Sequence, residues 1–330
     1  MINEHPIGTG YFQFDYWTPG EEIKLVRNED YWGDKANLDS VTFKVVSEDL
    51  TRIAELETGD AHISDPLSPS DVSRVEATDG MYVNRQDSAS LSYIGFNLEK
   101  EPFDDVRVRQ AVSMAIDKDQ IIEGIYDGVG IPAIGPLAPN VFGYDENQSG
   151  LEYNLEEAQA LLAEAGYEDG FSTTLWTNDN RERIDAATNV QEQLKHIGID
   201  VDVQVLEWGA YLEQTANAEH DMFILGWSAV TGDADYGMYA LFHSSQVGEP
   251  GNRSFIRNDE LDELLDQGRR STDETERLDF YRQAQELLVE EAPMLYIHHQ
   301  QFLLGVRDEV KGLEQTPNQI LLLQNVSLEQ

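Results

Sequence analysis

The sequence predicts an α/β fold, and three observations carry that expectation. From Asn154 onward, capped helical stretches alternate with short strand-like ones. Met222–Trp227 (MFILGW) is a short continuous apolar run, as in a strand covered on both faces. At 330 residues with 40% hydrophobic content, the chain is long enough for two lobes, each with a core.

The elements follow in order. Gly20–Arg27 and Thr42–Val46 alternate as strands do. Leu50, Ile53, Ala54 and Leu56 make a short amphipathic helix that ends at Gly59. Ala61–Ile63 reads as a strand, Ser70–Val75 as a helix and Ser92–Leu98 as a buried strand. In Pro102–Ile122, Val108, Ala111, Val112, Ala115 and Ile116 share one helical face. Asp104 or Asp105 caps its start, and Asp117 caps a second helix with Gln120 at the capping-box position. Gly128–Tyr153 is rich in Pro and Gly and reads as an extended surface connection. Asn154 opens a helix closed by Gly166, and Phe171–Thr177 is a strand. Glu182–His196 is a helix ended by Gly198, and Ile199–Leu206 is a strand. Ser271 and Glu274 start a helix that runs toward Pro293, before closing strands at Leu295–His298 and Phe302–Val306.

Composition excludes several classes of partner and chemistry. Asp and Glu number 63 against 22 Lys and Arg, a net charge of −41. Nucleic acid and anionic membranes repel such a chain. The acids are spread along the whole sequence, which indicates a solvated surface adapted to concentrated salt rather than a disordered tail. There is no cysteine, so disulfides and thiol chemistry are excluded. No apolar run is long enough to span a bilayer, and no signal-peptide pattern is visible. There is no HExxH, G-x-S-x-G, P-loop or GxGxxG motif, and no enzyme activity or cofactor is expected.

The segment PFDDVRVRQAVSMAIDKDQII resembles the corresponding segment of family 5 extracellular solute-binding proteins, the peptide, oligopeptide and nickel-binding components of ABC importers. The likeness runs from end to end, through GTGYF, NEDYWGDKANLDSVTFKVV, RIAELETGDAHIS, GIPAIGPLAP, NLEEAQALLAEAGY, VQEQLKHIGIDVDVQVLEWGAYL, FILGWSAVTGDADYGMYALF and EEAPMLYIHH. The resemblance implies a two-lobed periplasmic-binding-protein-like fold (type II, cluster C). Residues 1–97 plus 302–330 would form the remainder of lobe I, and 98–301 lobe II. Family members carry a further N-terminal portion with the first strand of lobe I, a small extra domain and a secretion signal. Lobe I is therefore expected to be incomplete here, and the acid load suggests a haloarchaeal source.

The resemblance also directs attention to residues. Trp227, at a strand end, is placed to stack on a ligand. In the peptide binders an Asp three residues after this Trp pairs with the ligand's α-ammonium; here that place is Val230. Asp233 and Asp235 lie just beyond and are candidate acceptors for a cationic group, or turn-forming side chains. Arg181 and Arg183 are candidates for a ligand carboxylate, or for surface ion pairs. Asn178 and Asn180 are candidate donors from the same loop. Tyr93 and Asn97 sit on the strand that the resemblance makes a crossover between lobes. Trp208 and Tyr211 form an aromatic wall, or pack under a helix. His298 and His299 are adjacent, but neighbours in a strand point to opposite faces, which disfavours one shared metal. His5, His62, His196, His220 and His243 show no ligand spacing.

The expected function is extracytoplasmic capture of a small solute, a peptide or other oligomer, between two lobes, with delivery to ABC permease subunits at the cell surface. The chain is expected to be a monomer, anchored to the membrane in full-length form, and hinge closure is expected on binding. Two other readings stand beside it: a truncated non-binding fragment or half of a split protein, and a nickel or metal-chelate binder.

Overall fold

A computed structural model describes residues 6–249 and 251–329 and divides the chain into two compact units. One comprises the residues up to Gln86 and from Phe302 onward; the other runs from Asp87 to Gln301.

The first unit opens with an antiparallel sheet of β1 (Phe12–Thr18), β2 (Glu22–Arg27) and β3 (Ser40–Lys44), in that order. Helix α1 (Asp49–Thr58) buries Ile53 and Leu56 and ends at Gly59, whose φ of 82° only glycine adopts without strain. After β4 (Ile63–Ser64), the expected helix begins as a 3₁₀ turn, Pro69–Asp71, and continues as α2 (Val72–Glu76). Strand β5 (Met81–Asp87) follows.

The second unit is a six-stranded sheet with helices on both faces. It begins with β6 (Ser90–Phe96), then α3 (Val106–Met114), α4 (Lys118–Ile125), β7 (Ile131–Pro132) and α5 (Leu155–Glu164). Next come β8 (Phe171–Asn178), α6 (Arg181–Leu194), β9 (Ile199–Leu206), α7 (Trp208–Ala216) and β10 (Met222–Ser228). A π-helical turn, Asp235–Tyr239, runs into α8 (Ala240–Phe242). Helices α9 (Asp259–Arg270) and α10 (Glu274–Glu291) precede β11 (Met294–His299). Strand β12 (Gln301–Arg307) then enters the first unit and lies between β4 and β5. Short pairs β13 (Val310–Lys311) with β16 (Ser327–Leu328), and β14 (Glu314–Gln315) with β15 (Leu321–Leu322), end the chain.

The first boundary lies between Gln86 and Asp87, not near Asn97 as the sequence suggested. The reason is pairing. β6 is the strand between β10 and β11 and pairs antiparallel with both, so it belongs wholly to the second unit. The strand order there is β7-β11-β6-β10-β8-β9. Because β8 runs parallel to β9 and β10, their carboxyl ends share one edge.

The period-2 alternation of β10 divides its side chains between two cores. Phe223 and Leu225 join Tyr93, Tyr211, Tyr281 and Leu288 on one face. Met222 and Ile224 join Ile94, Phe96, Leu175 and Val190 on the other. The predicted helical face of Val108, Ala111, Val112, Ala115 and Ile116 is fully buried in that second core. Each such side chain contributes about 1–3 kcal/mol of burial. Asp105 caps α3 by accepting from the Arg107 amide, and Asp117 caps α4 by accepting from Gln120. Arg109 is 2% exposed, and its guanidinium donates to the carbonyls of Glu291 and Phe103, joining α3 to the end of α10. The N-cap of α10 is Asp273, with Ser271 supporting it by accepting from the Asp273 amide.

Candidate functional site

The carboxyl edge of the second unit's sheet gathers residues from β8, α6, α7 and β10. Asn178 ends β8, and Asn180 caps α6 by accepting from the Arg183 amide at 3.0 Å. That cap sets the first turn of α6 and points Arg183 back across it. Arg183 Nη1 donates to Asn178 Oδ1 at 3.0 Å. Its guanidinium carbon lies 5.9 Å from the Trp208 ring centroid, a cation–π distance. A Cβ on Gly226 would stand 3.5 Å from Arg183 Nη2, so the guanidinium reaches the carboxyl end of β10. One half-buried arginine thus touches three strand ends or their following turns.

Two aromatic pairs flank it. Trp208, 43% exposed, stacks on buried Tyr211 with centroids 5.9 Å apart, and the Tyr211 hydroxyl donates to the Ile224 carbonyl. Trp227 is half-buried, packs against Tyr236 at 5.4 Å and donates its indole N–H to the Tyr236 carbonyl at 3.1 Å. The π-helical turn therefore fixes the Trp227 ring at the strand end.

Both acids nearby face arginines, and Asp235 Oδ1 is buried without a hydrogen-bond partner. Asp233 accepts from Arg277 Nη2 at 2.8 Å and from the Asp235 amide at 2.9 Å. Asp235 lies 3.5 Å from Arg269 Nε. Burial raises the Asp235 carboxyl above its ordinary value against the pull of Arg269, and the Asp233 charge adds to the rise. Arg269 also covers the Tyr239 ring at 4.2 Å, and Arg277 the Phe142 ring at 4.8 Å. Both Asp residues therefore hold the 233–239 turn against α9 and α10. Val230 is 52% exposed just after β10 and presents an apolar side chain.

The other sequence candidates lie elsewhere. Arg181 points to solvent, 94% exposed, and pairs weakly with Asp185 at 3.8 Å. Tyr93 is fully buried and meets Phe223 edge-on, so it faces the core rather than a cleft. Burial raises its hydroxyl pKa far above the ordinary range. Asn97 is also fully buried. Its amide donates to the carbonyls of Ala218 and His220, and its Oδ1 accepts from the Glu99 amide, at the sheet edge away from Asn178. His298 and His299 are buried at the end of β11, and desolvation lowers both imidazoles to a pKa of about 4. His298 packs on Tyr126 and His299 Nδ1 contacts the Ser90 carbonyl, so they face different neighbours. Among the described residues no group of three His, Asp or Glu is placed to hold a metal; His5 lies outside those residues.

Aromatic and polar side chains beyond the carboxyl ends of parallel strands stand where α/β units place their ligands. Residues 1–249 match the family described as bacterial extracellular solute-binding proteins, family 5 Middle, and the chain belongs to that family. It is similar to the dipeptide-binding protein of Escherichia coli K12, 31% identical over 99% of this chain and 62% of that protein. It is also similar to heme-binding protein A of Haemophilus influenzae, 32% identical over 96% of this chain and 58% of that protein. Among solved structures, HbpA2 from Haemophilus parasuis matches with a TM-score of 0.90 at 30% identity, covering 99% of this chain and 65% of that one. The DppA periplasmic binding protein from Helicobacter pylori, in complex with peptide STSA, matches with a TM-score of 0.81 at 33% identity, covering 98% of this chain and 64% of that one. The chain thus spans about three-fifths of the length of the curated relatives it matches.

Proposed function

We propose that this chain is the solute-capturing component of an ABC importer and binds a small solute, a peptide or other oligomer, at the carboxyl edge of the second unit's sheet. The observation that carries the reading is the convergence of Asn178, Arg183, Trp208 and Trp227 from four elements onto that edge. Family membership and the peptide complex of a similar protein support it. Trp227 and Trp208 supply apolar walls, Asn178 and Arg183 the polar contacts, and Val230 lies at the rim. The work is capture without chemistry, outside the cytoplasm, with permease subunits as partners. No helix among the described residues is long and apolar enough to cross a membrane.

Thermal unfolding of the full chain against a peptide library tests this. A probe at a hundredfold excess over its Kd should add about 2.7 kcal/mol of stability. Trp227→Ala should weaken the same probe. A library without one stabilising member would contradict the reading.

A further inference from the structure

The 233–239 turn that fixes Trp227 is itself held by a side chain from α10. Arg277 Nη2 donates to Asp233 Oδ1 at 2.8 Å, and its Nε donates to the Gly268 carbonyl at 2.9 Å, so one guanidinium ties the turn to α9. The same group covers the Phe142 ring at 4.8 Å and the Tyr281 ring at 5.5 Å. Phe142 is the backbone partner of the turn. Its amide donates to the Gly232 carbonyl, and its carbonyl accepts from the Ala234 amide, both at 2.9 Å. At Gly143, with φ of 98°, a Cβ would lie 2.6 Å from the Ala234 Cβ, so loop and turn are in close contact. Arg277 closes over both. Asp233 passes the constraint on: its Oδ1 also accepts from the Asp235 amide at 2.9 Å, where the π-helical turn begins. One residue later the Tyr236 carbonyl receives the Trp227 indole N–H.

Charge makes the turn depend on this arginine. Asp233 and Asp235 are half-buried and two residues apart, and the buried Asp235 Oδ1 has no hydrogen-bond partner, with Arg269 Nε 3.5 Å away. Without Arg277, the Asp233 carboxylate loses its counter-ion beside a second acid, and like charges in a partly desolvated turn repel. Arg277 itself stands apart from the edge: among the described residues, no hydrogen bond or ring contact joins it to Asn178, Arg183, Trp208 or Trp227. A binding side chain keeps its pose only when packing and further hydrogen bonds lock it. Resting on the binding function proposed above, we propose that Arg277 is a positioning residue for the solute site. It touches no solute; it sets the pose of Trp227 through Asp233 and the π-helical turn.

The test is a double-mutant cycle, read by calorimetric titration of the full chain with the most stabilising peptide of the library. Arg277→Gln should weaken that peptide about twofold to thirtyfold. In the Trp227→Ala background the same substitution should cost no further affinity, because the ring it positions is gone. Arg277→Lys keeps a charge on Asp233 and should restore part of the loss. The change in tryptophan emission caused by Arg277→Gln should likewise vanish in Trp227→Ala. Leu162→Ala, a cavity in the core on the other face of the sheet, controls for stability and should leave affinity unchanged. Melting without peptide reports whether each variant folds. If Arg277→Gln does not, Asp233→Asn carries the same cycle, since it keeps the acceptor for the Asp235 amide and loses the ion pair. An equal loss with and without the Trp227 ring, or no loss in either background, would overturn the positioning role while leaving the binding function standing. No binding by any library member would overturn both.

Discussion

The two units bury their apolar residues in different ways. In the second, a six-stranded sheet is covered on both faces, and Tyr93, Phe96, Phe223, Ile224 and Tyr281 are all fully buried. Exposed Trp208, Val230 and Tyr236 lie along or beside its carboxyl edge. In the first unit, sheets of three or two strands enclose a smaller core around Leu304, Val306, Val310, Leu323 and Val326. Trp17, Phe43 and Val45 are exposed there, and Val41, Phe43, Val46, Leu321 and Leu323 line a groove of about 590 Å³. Burial per residue decides stability, so the second unit should behave as the rigid platform and the first as the less stable part. Of the exposed aromatic side chains of the second unit, Trp208 and Tyr236 lie at or beside its carboxyl edge, and Tyr153 just before α5.

Salt should widen the difference most. At −41, lowering salt well below ~1 M removes the screening that holds the acidic surface together. Amides of β1–β3 should lose exchange protection first, followed by those of β6 and β10. Unchanged melting in dilute buffer would break the salt argument. Next in size, Phe223→Ala in the second core should cost about 3–5 kcal/mol in denaturant unfolding. Phe43→Ala, at a side chain 42% exposed, should cost under about 1 kcal/mol; similar costs at both positions would erase the contrast.

Acid should act on the second unit through His298 and His299. Their folded pKa of about 4 lies below the unfolded value of about 6.5, so the unfolded chain binds more protons between those limits. Stability is therefore full above pH 6.5 and falls as pH drops toward 4. Each imidazole accounts for about 2 kcal/mol at pH 5. His298→Phe should reduce the pH slope by one imidazole's share, and an unchanged slope would mean that the ring is not buried neutral.

Much of this fold can be read along the chain because the signals are local. The face of Val108, Ala111, Val112, Ala115 and Ile116, the Asp117 and Asn154 caps and the left-handed glycines at 59, 166 and 198 all act within one or two turns. Helix α9, DELDELLDQGRR, is dense in charge and has no place among the elements expected above. Its signal was present all the same, in the Asn258 cap and the buried Leu261, Leu265 and Gly268 on one face. The candidate site was harder. The strand-end Trp227 was legible, but the Arg277–Asp233 and Arg269–Asp235 pairs join segments far apart in sequence. Those contacts cancel acids that the sequence alone offers as ligand acceptors. Tyr93 and Asn97 failed as cleft candidates for a related reason: β6 turned out to be a central strand, so their side chains fill the core and an internal turn.

The central claim is that solute is held at the carboxyl edge of the second unit's sheet. Hydrogen–deuterium exchange of the full chain, with and without the most stabilising peptide of the library, tests it most directly. The account predicts added protection confined mainly to residues 178–183, 206–209 and 226–236. Binding that leaves those three segments unprotected, and protects others instead, would contradict it.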